Sequence, residues 1–398
     1  MREHCVLIQA LSAIAAAMLA GCASAGSAGG ATPFGVAVTQ PERSAVGRDA
    51  TVEFAYVANS GSNDVSAYAI DASSGALSQV SGSPFAASSA PDGVAIDPKG
   101  TFAYVTDSGS NGVSAYAINA GTGALTEVYG SPFATGTSPY GVAVDPRGKF
   151  AYVTNYDGSS VSAYSIDASS GALAPVFGSP FKAGYFPTAV VVDPKGSFAY
   201  VPCLKSKAVY AYKINATTGA LKAVTGSPFK TGNSPSAVTV DPAGKFAYVT
   251  NQVDGSISAY TINATTGALS GIIGSPFAAG KGPSGIVVDP NEKFAYVTNR
   301  LDDNVYAYEI NATTGALTEI SGTFLTDTGP VGIAVDPLAK YVYVANNGSG
   351  ANSVSGYQIN LTSGMLSSLS GSPFGAGEAP MAVATCRVSS GKCVPPPL

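Results

Sequence analysis

Few side chains in this chain could do chemistry, and their types narrow the field. A single histidine, His4, lies in the N-terminal segment "MREHCVLIQALSAIAAAMLAGC". If that segment is removed, no imidazole remains. Ser-His-Asp triads, histidine acid–base catalysis and histidine-ligated metals are then excluded. No P-loop, dinucleotide fingerprint or CxxC pair occurs. "YDGSS", "VDGS" and "LDDN" lack the full alternating ligand set of a calcium loop and read as turns. What remains is a scatter of aromatic and charged residues: Tyr140, Tyr156, Tyr185 and Phe186, then Lys205 and Lys207 in "PCLKSKA". Further along are Arg300, Asp302 and Asp303 in "NRLDDN", then Asp327 and Glu378. Aromatic faces with neighbouring cations suit a sugar or an acidic, amphipathic ligand. Tyr140, Tyr156, Tyr185, Phe186, Lys205, Lys207, Arg300 and Asp302 are therefore the candidate ligand-binding residues. No residue is assigned a catalytic or metal-binding role, and no cofactor is implied.

The cysteines carry a second kind of chemistry. Val6 to Ala20 is apolar but short and Ala-rich, which suits a signal-peptide core better than a membrane span. Leu19-Ala20-Gly21-Cys22 resembles a bacterial lipobox, in which the Cys thiol is the nucleophile that takes a diacylglycerol. Cys22 is the expected lipidation site, and two or more acyl chains would hold the protein stably on a membrane. The expected segments are a signal peptide over 1–21 and a flexible tether with a possible edge strand over 22–53. A folded body follows over 54–386, then a tail over 387–398. Export favours disulfides. Cys386 and Cys393 flank a turn-forming Ser-Ser-Gly and are expected to pair, leaving Cys203 as the spare thiol. The sequence alone leaves open that the pair shares a metal, although no other soft ligands accompany it.

Composition supports a neutral surface. The chain has 398 residues, 45% hydrophobic but only 11% charged, with 47 Gly and 26 Pro. Its formal net charge is −5 and no basic run occurs, so a nucleic-acid partner is not expected.

The elements that must position these side chains come from a repeat. Units begin at Phe54, Phe102, Phe150, Phe198, Phe246, Phe294 and Tyr341, the first six 48 residues apart. Each reads as four short strands rich in β-branched and aromatic residues, bounded by Gly, Pro, Asn and Asp. In the third unit they are "FAYVTN", "VSAYSI", "GALAPVF" and, after "GSPFKAGYFP", "TAVVVD". In "DPRG", Asp145 can accept a backbone N–H, Pro146 fixes φ and Gly148 supplies a left-handed residue. In "INATTGAL", Asn215 and Gly219 play the same parts. "GSPF" reads as a corner where Pro stops the outer strand. Four strands per unit of this length predict an all-β, seven-bladed propeller of four-stranded antiparallel blades.

Two strands compete to complete the first blade: "FGVAV" (Phe34 to Val38) and "PMAVATC" (Pro380 to Cys386). The linker from Val38 to Phe54 is far longer than a "DPxG" hairpin. The C-terminal strand is therefore expected beside Phe54 to Val57, closing the ring. The topology also sorts the loops. "DPxG" and "NATTG" turns share one end and barely vary. The loops after "YVTN" and "GSPF" share the other end and vary strongly, as a site built by specialising a repeat would.

"FAYVTN" preceded by "VAVDPxGK" resembles the YVTN-repeat propellers, a branch of the lactonase-like seven-bladed superfamily that includes 6-phosphogluconolactonase-type hydrolases. The resemblance covers about residues 54 to 386. It implies enzyme sites built from polar residues on one face of the ring, including a His with Arg and Glu, and the processed chain has no His. The expectation from sequence is therefore a lipid-anchored binding or interaction module at the cell envelope. Its partners would be the membrane and a glycan, peptide or protein ligand. A lactone hydrolase working through carboxylates with Arg or Lys is the alternative, and a structural envelope protein the third reading.

Overall fold

The computed structural model describes residues 52–389 and 391–396. Cys22, the expected signal and lipobox residues, and the candidate strand Phe34 to Val38 lie outside them. Seven antiparallel sheets follow one another, each built from an inner, a second, a third and an outer strand. Blade 3 shows the plan: inner strand Pro139–Val144, second Phe150–Asn155, third Ser160–Ile166, outer Leu173–Pro175 with Phe181–Lys182. The outer strand is broken at "GSPF", and both pieces pair with the third strand. In blade 6 "SGTF" replaces "GSPF", and the outer strand Leu317–Leu325 runs unbroken because no proline interrupts it.

The turns follow from the residues named above. Gly148 has φ 65° and its N–H donates to the Asp145 carbonyl (2.8 Å). Asp145 Oδ1 accepts from the amides of Lys149 (2.6 Å) and Phe150 (2.8 Å). The carboxylate thereby satisfies two donors as the second strand starts. Asn215 Oδ1 similarly accepts from Thr217 (2.9 Å) and Thr218 (3.0 Å).

Neighbouring blades interlock through large residues of one and small residues of the next. Phe150 and Tyr152 pack towards Val190, Val192, Ala199 and Val201 of blade 4. Ala151 and Val153, on the opposite face, meet Phe102 and Tyr104 of blade 2. The buried Tyr152 hydroxyl donates to the Gly219 carbonyl of the next blade (3.0 Å). Gly219 has φ 75°, and a Cβ there would lie 2.4 Å from the Phe150 ring. The same Tyr-to-Gly bond recurs from Tyr56, Tyr104, Tyr200, Tyr248, Tyr296 and Tyr343, the last reaching Gly75 to complete the circle. A buried phenol thus keeps a partner while its ring fills the blade interface.

The circle closes through the C-terminal strand. Pro380–Ser389 pairs antiparallel with Glu53–Asn59, Phe54 opposite Cys386 and Val57 opposite Val383. The strand turns back into Lys392–Val394, and Cys386 and Cys393 are bonded, their Cα atoms 5.2 Å apart. The Cys393 N–H donates to Gly100 O (3.1 Å) on the blade 2 "DPKG" turn. Val394, Pro395 and Pro396 help wall an apolar chamber of about 490 Å³ at this end of the axis, with the inner-strand Val, Ile and Ala residues.

Candidate functional site

At the other end, one backbone arrangement is repeated seven times. The residue before each inner strand has positive φ: Ala90, Ser138, Phe186, Ser234, Gly282, Gly329 and Ala379. Its carbonyl accepts the N–H of the first residue after a second strand: Ser108, Tyr156, Leu204, Gln252, Arg300, Asn347 and Ser60, in the same order. Each blade thus presents two residues to the mouth of the channel. One is this loop residue. The other follows the inner-strand proline: Asp92, Tyr140, Thr188, Ser236, Ser284, Val331 and Met381. Among these fourteen positions only Asp92 and Arg300 are charged.

They act on a common neighbour. Tyr140 feels the charges of both Asp92 and Arg300, although these lie on blades 2 and 6. Burial first, then the Asp92 and Tyr156 charges, push its phenol up to about 12 against the opposing pull of Arg300. Tyr140 therefore stays protonated and can donate. Desolvation lifts the Asp92 carboxyl to about 6, partly offset by the Ser108 hydroxyl. Asp92, Ser108, Tyr140, Tyr156 and Asp157 share a small cavity of about 250 Å³ with Gly109 and Ser138. Asp157 is held aside by the Ser138 hydroxyl (2.5 Å). Arg300 Nη2 donates to Asn347 Oδ1 (3.3 Å), which braces the guanidinium.

Blade 4 supplies an aromatic wall. Phe186 stacks on Tyr156 at 4.7 Å and 14°, and Tyr156 meets Tyr140 at 6.0 Å. Lys205 Nζ stands 5.7 Å above the Phe186 ring. Phe186 takes φ 56°, the conformation shared by all seven corners and one that is unfavourable for a bulky side chain. Its blade also loses the regular inner strand. Pro202 replaces the threonine whose hydroxyl in blade 3, Thr154 Oγ1, accepts the Gly141 amide (2.8 Å). Only Val191–Val192 and an isolated Pro187–Cys203 bridge then pair.

The structure therefore brings together Tyr140, Tyr156, Phe186 and Lys205, with Arg300 across the mouth. Tyr185 is 66% exposed beside them. Lys207 is a turn residue at φ 52° on the outer rim, near Asp254. Asp302 also lies outside the mouth: its carboxylate accepts the Lys281 amide (2.7 Å), with Lys281 Nζ at 3.9 Å. Asp303 caps Gly329 N (2.7 Å), Asp327 accepts from Ser353, and Glu378 is exposed. Asp92 is absent from the set chosen by sequence. Aligning the seven "P-x-G/A" inner-strand starts against one another would have found it, as the one charged residue there.

A half-buried carboxylate of raised basicity and a protonated phenol line one cavity, and a guanidinium across the mouth acts on the phenol through its charge. Such groups can serve acid–base chemistry and oxyanion stabilisation without histidine. The fold and this set define a seven-bladed propeller with a polar site on one face. The model of the family "Lactonase, 7-bladed beta-propeller" matches residues 31–132 and 128–384, and the chain belongs to that family. Among solved structures, it resembles a provisionally assigned 6-phosphogluconolactonase from Bacteroides fragilis, at 22% identity and TM-score 0.73, over 86% of this chain and 99% of that one. It also resembles a periplasmic gluconolactonase from Pseudomonas aeruginosa, at 19% identity and TM-score 0.71, over 84% and 99%. These two likenesses bear on the fold. None of the curated proteins compared with it matches the chain. The family match overturns the expectation of a binding module and favours the lactone hydrolase alternative. That expectation rested on the missing histidine, and the mouth supplies acid–base groups of other types.

Proposed function

We propose that the protein hydrolyses a small, unphosphorylated sugar lactone to its hydroxy acid. The observation that carries this reading is that Asp92 and Arg300, the only charged residues at the fourteen mouth positions, both bear on Tyr140. Asp92 as carboxylate takes a proton from water as its oxygen bonds to the lactone carbonyl carbon. The Tyr140 hydroxyl and Arg300 guanidinium stabilise the oxyanion that develops. The bond from this carbon to the ring oxygen then breaks, and Asp92 returns the proton to that oxygen. The Tyr156–Phe186 pair gives the C–H face of a sugar a surface to stack on. Arg300 is the only cation at the fourteen mouth positions, and Lys205 is engaged over the Phe186 ring, which favours a neutral lactone over one bearing a phosphate dianion. The family membership supports the reading, as does the gluconolactonase activity named for the Pseudomonas relative.

Hydrolysis of D-glucono-1,5-lactone, followed by pH-stat against the spontaneous rate, tests it. Asp92→Asn and Arg300→Gln should each lower kcat/KM by about 10²-fold or more while the β-sheet circular dichroism spectrum is kept. Wild-type turnover no faster than background across aldonolactones, or full activity in both variants, would overturn it. The same reading takes the protein as exported and anchored through Cys22. A Cys22→Ser chain that still fractionates with membranes would remove the anchor.

A further inference from the structure

Blade 2 breaks the repeat a second time, one strand behind Asp92. The second strand of five other blades ends in Asn59, Asn155, Asn251, Asn299 or Asn346. Each is a buried amide whose Nδ2 donates to the third strand, as Asn155 does to Ser160 and Ser162 (both 2.9 Å). Blade 2 has Asp107 there, 0% exposed. It can only accept: its Oδ2 takes the Ser114 amide (3.0 Å) and hydroxyl (2.8 Å). Its Oδ1 lies near the Ser88 amide without meeting hydrogen-bond geometry. Gly112 stands where the five asparagine blades have a side-chain acceptor for the amide, Asp64, Ser160, Ser256, Asn304 or Ser353, so blade 2 lacks one of the partners an asparagine would use.

Asp107 stands opposite Pro91 in the strand register, beside the residue that carries the site's base. Burying a carboxylate without a cation is unfavourable, and the fold already uses a neutral amide at this place. We propose that Asp107 is the second carboxylate of the site, a positioning residue whose charge sets how readily Asp92 takes up and releases its proton. The inference rests on the lactonase reading and adds a residue to it.

The electrostatics agree. Burial is the main cause that lifts Asp107 to about 6, the Ser114 and Ser88 hydrogen bonds oppose it, and the Asp92 charge adds a smaller rise. Burial is the main cause of the Asp92 rise, and because coupling between two titrating groups is reciprocal the Asp107 charge adds to it in the same direction. The other titratable groups around the pair are Tyr116 on the third strand, Tyr140 on the blade 3 inner strand, Tyr156 and Asp157 in the following loop, and Arg300 across the mouth. Arg300 is the only cation among them, and it stands on blade 6.

Asp107→Asn installs the residue the fold uses elsewhere, so folding should survive. Carbon-13 NMR of protein labelled at aspartate carboxyls reads the midpoint of Asp92 without substrate, with Asp92→Asn assigning its signal. We expect the Asp92 midpoint to fall in Asp107→Asn. The acid limb of kcat/KM on gluconolactone should follow, so that activity at pH 5, relative to its plateau, rises about threefold or more. In Asp92→Asn the Asp107 midpoint should fall reciprocally, which serves if Asp107→Asn fails to fold. Midpoints unchanged in both variants overturn the inference even if the lactone is turned over. Coupled midpoints in a protein without turnover would instead keep the carboxylate pair and remove the lactonase reading.

Discussion

The two ends of the ring share one repeat and use it in opposite ways. At the "DPxG" end the side chains are held constant. Asp97, Asp145, Asp193, Asp241, Asp289 and Asp336 each accept two amide N–H groups at the start of the next strand. The seventh place is taken by the disulfide-bonded C-terminal hairpin, whose tail walls the axial chamber. At the mouth the backbone is held constant, by seven corners and seven N–H to carbonyl bonds, while the side chains diverge. Where the chain must stop and turn, a residue has one acceptable chemistry. Where the backbone corner is self-sufficient, the side chain is free to serve a ligand. The six carboxylates at the first end all cap strand amides; at the second end Asp303 does the same for Gly329, whereas Asp92 faces a cavity.

The largest expected effect separates the mouth from its rim. Tyr140→Phe should lower kcat on gluconolactone by about 10²-fold, because a donor to the developing oxyanion is lost. Asp302→Asn, on the rim, should leave kcat and KM within about twofold of wild type, in keeping with the small effect of an exposed ion pair. Equal effects would mean that the site extends beyond the mouth. The pH profile adds a sign. Asp92 acts as a base only when ionised, so kcat/KM should rise with pH through about 6.

The next effect belongs to the other end. Asp145→Ala leaves the Lys149 and Phe150 amides without their acceptor, a loss of about 3 kcal/mol for two hydrogen bonds to a charged group. Urea unfolding should show it, with turnover per folded molecule unchanged. A fall in kcat at equal folded fraction would mean that the two ends are not independent.

This division explains what could be read in the sequence. Strands, blade number and turn chemistry are legible because each rests on local rules: Gly at positive φ, Asp or Asn beside it, β-branched and aromatic runs between. Closure by Pro380–Ser389 was legible from linker length. The mouth was legible only in part. Tyr140, Tyr156, Phe186 and Arg300 were visible as candidate residues, but their common placement requires the ring, since they come from blades 3, 4 and 6. Asp92 was hidden inside a strand and Asp107 inside a motif read as structural. The tight turn at "GSPF" is a further limit, because the short Phe181–Lys182 pairing after it returns to the third strand and could not be told from loop.

Glu53 sharpens the comparison through pH. It starts the first strand at the turn end, 1% exposed and opposite Arg387. Burial chiefly, and the Asp336 charge, raise it to about 7, against Arg387 and Lys340. Its folded value thus exceeds its unfolded value of about 4.5, so the protonated form is the one that folding favours. That contribution is fully present below about pH 4.5 and is lost as pH rises through about 7. Asp92 and Asp107 act in the same direction, over a window ending near 6. The thermal midpoint should therefore be lower at pH 8 than at pH 5.5, and Glu53→Gln should flatten this slope while sparing the acid limb of turnover. A slope unchanged by Glu53→Gln would place the linkage in the other carboxylates that burial raises, Asp241 and Asp336 at the turn end or Asp92 and Asp107 at the mouth.

The smallest effect concerns what joins the two ends. Tyr152 sits midway along its strand, wholly buried, and its hydroxyl bonds to Gly219 of the next blade. Phenylalanine keeps the ring and its packing but leaves the Gly219 carbonyl without that donor. The expected loss is about 1 kcal/mol, typical for one buried neutral hydrogen bond. Because the bond recurs in all seven blades, Tyr104→Phe and Tyr152→Phe together should lose about twice as much, as independent interfaces do. A double variant losing much more than the sum would show that the blades hold one another up cooperatively around the circle. The mouth would then owe its geometry to the whole ring rather than to the blades that carry Asp92, Tyr140 and Arg300.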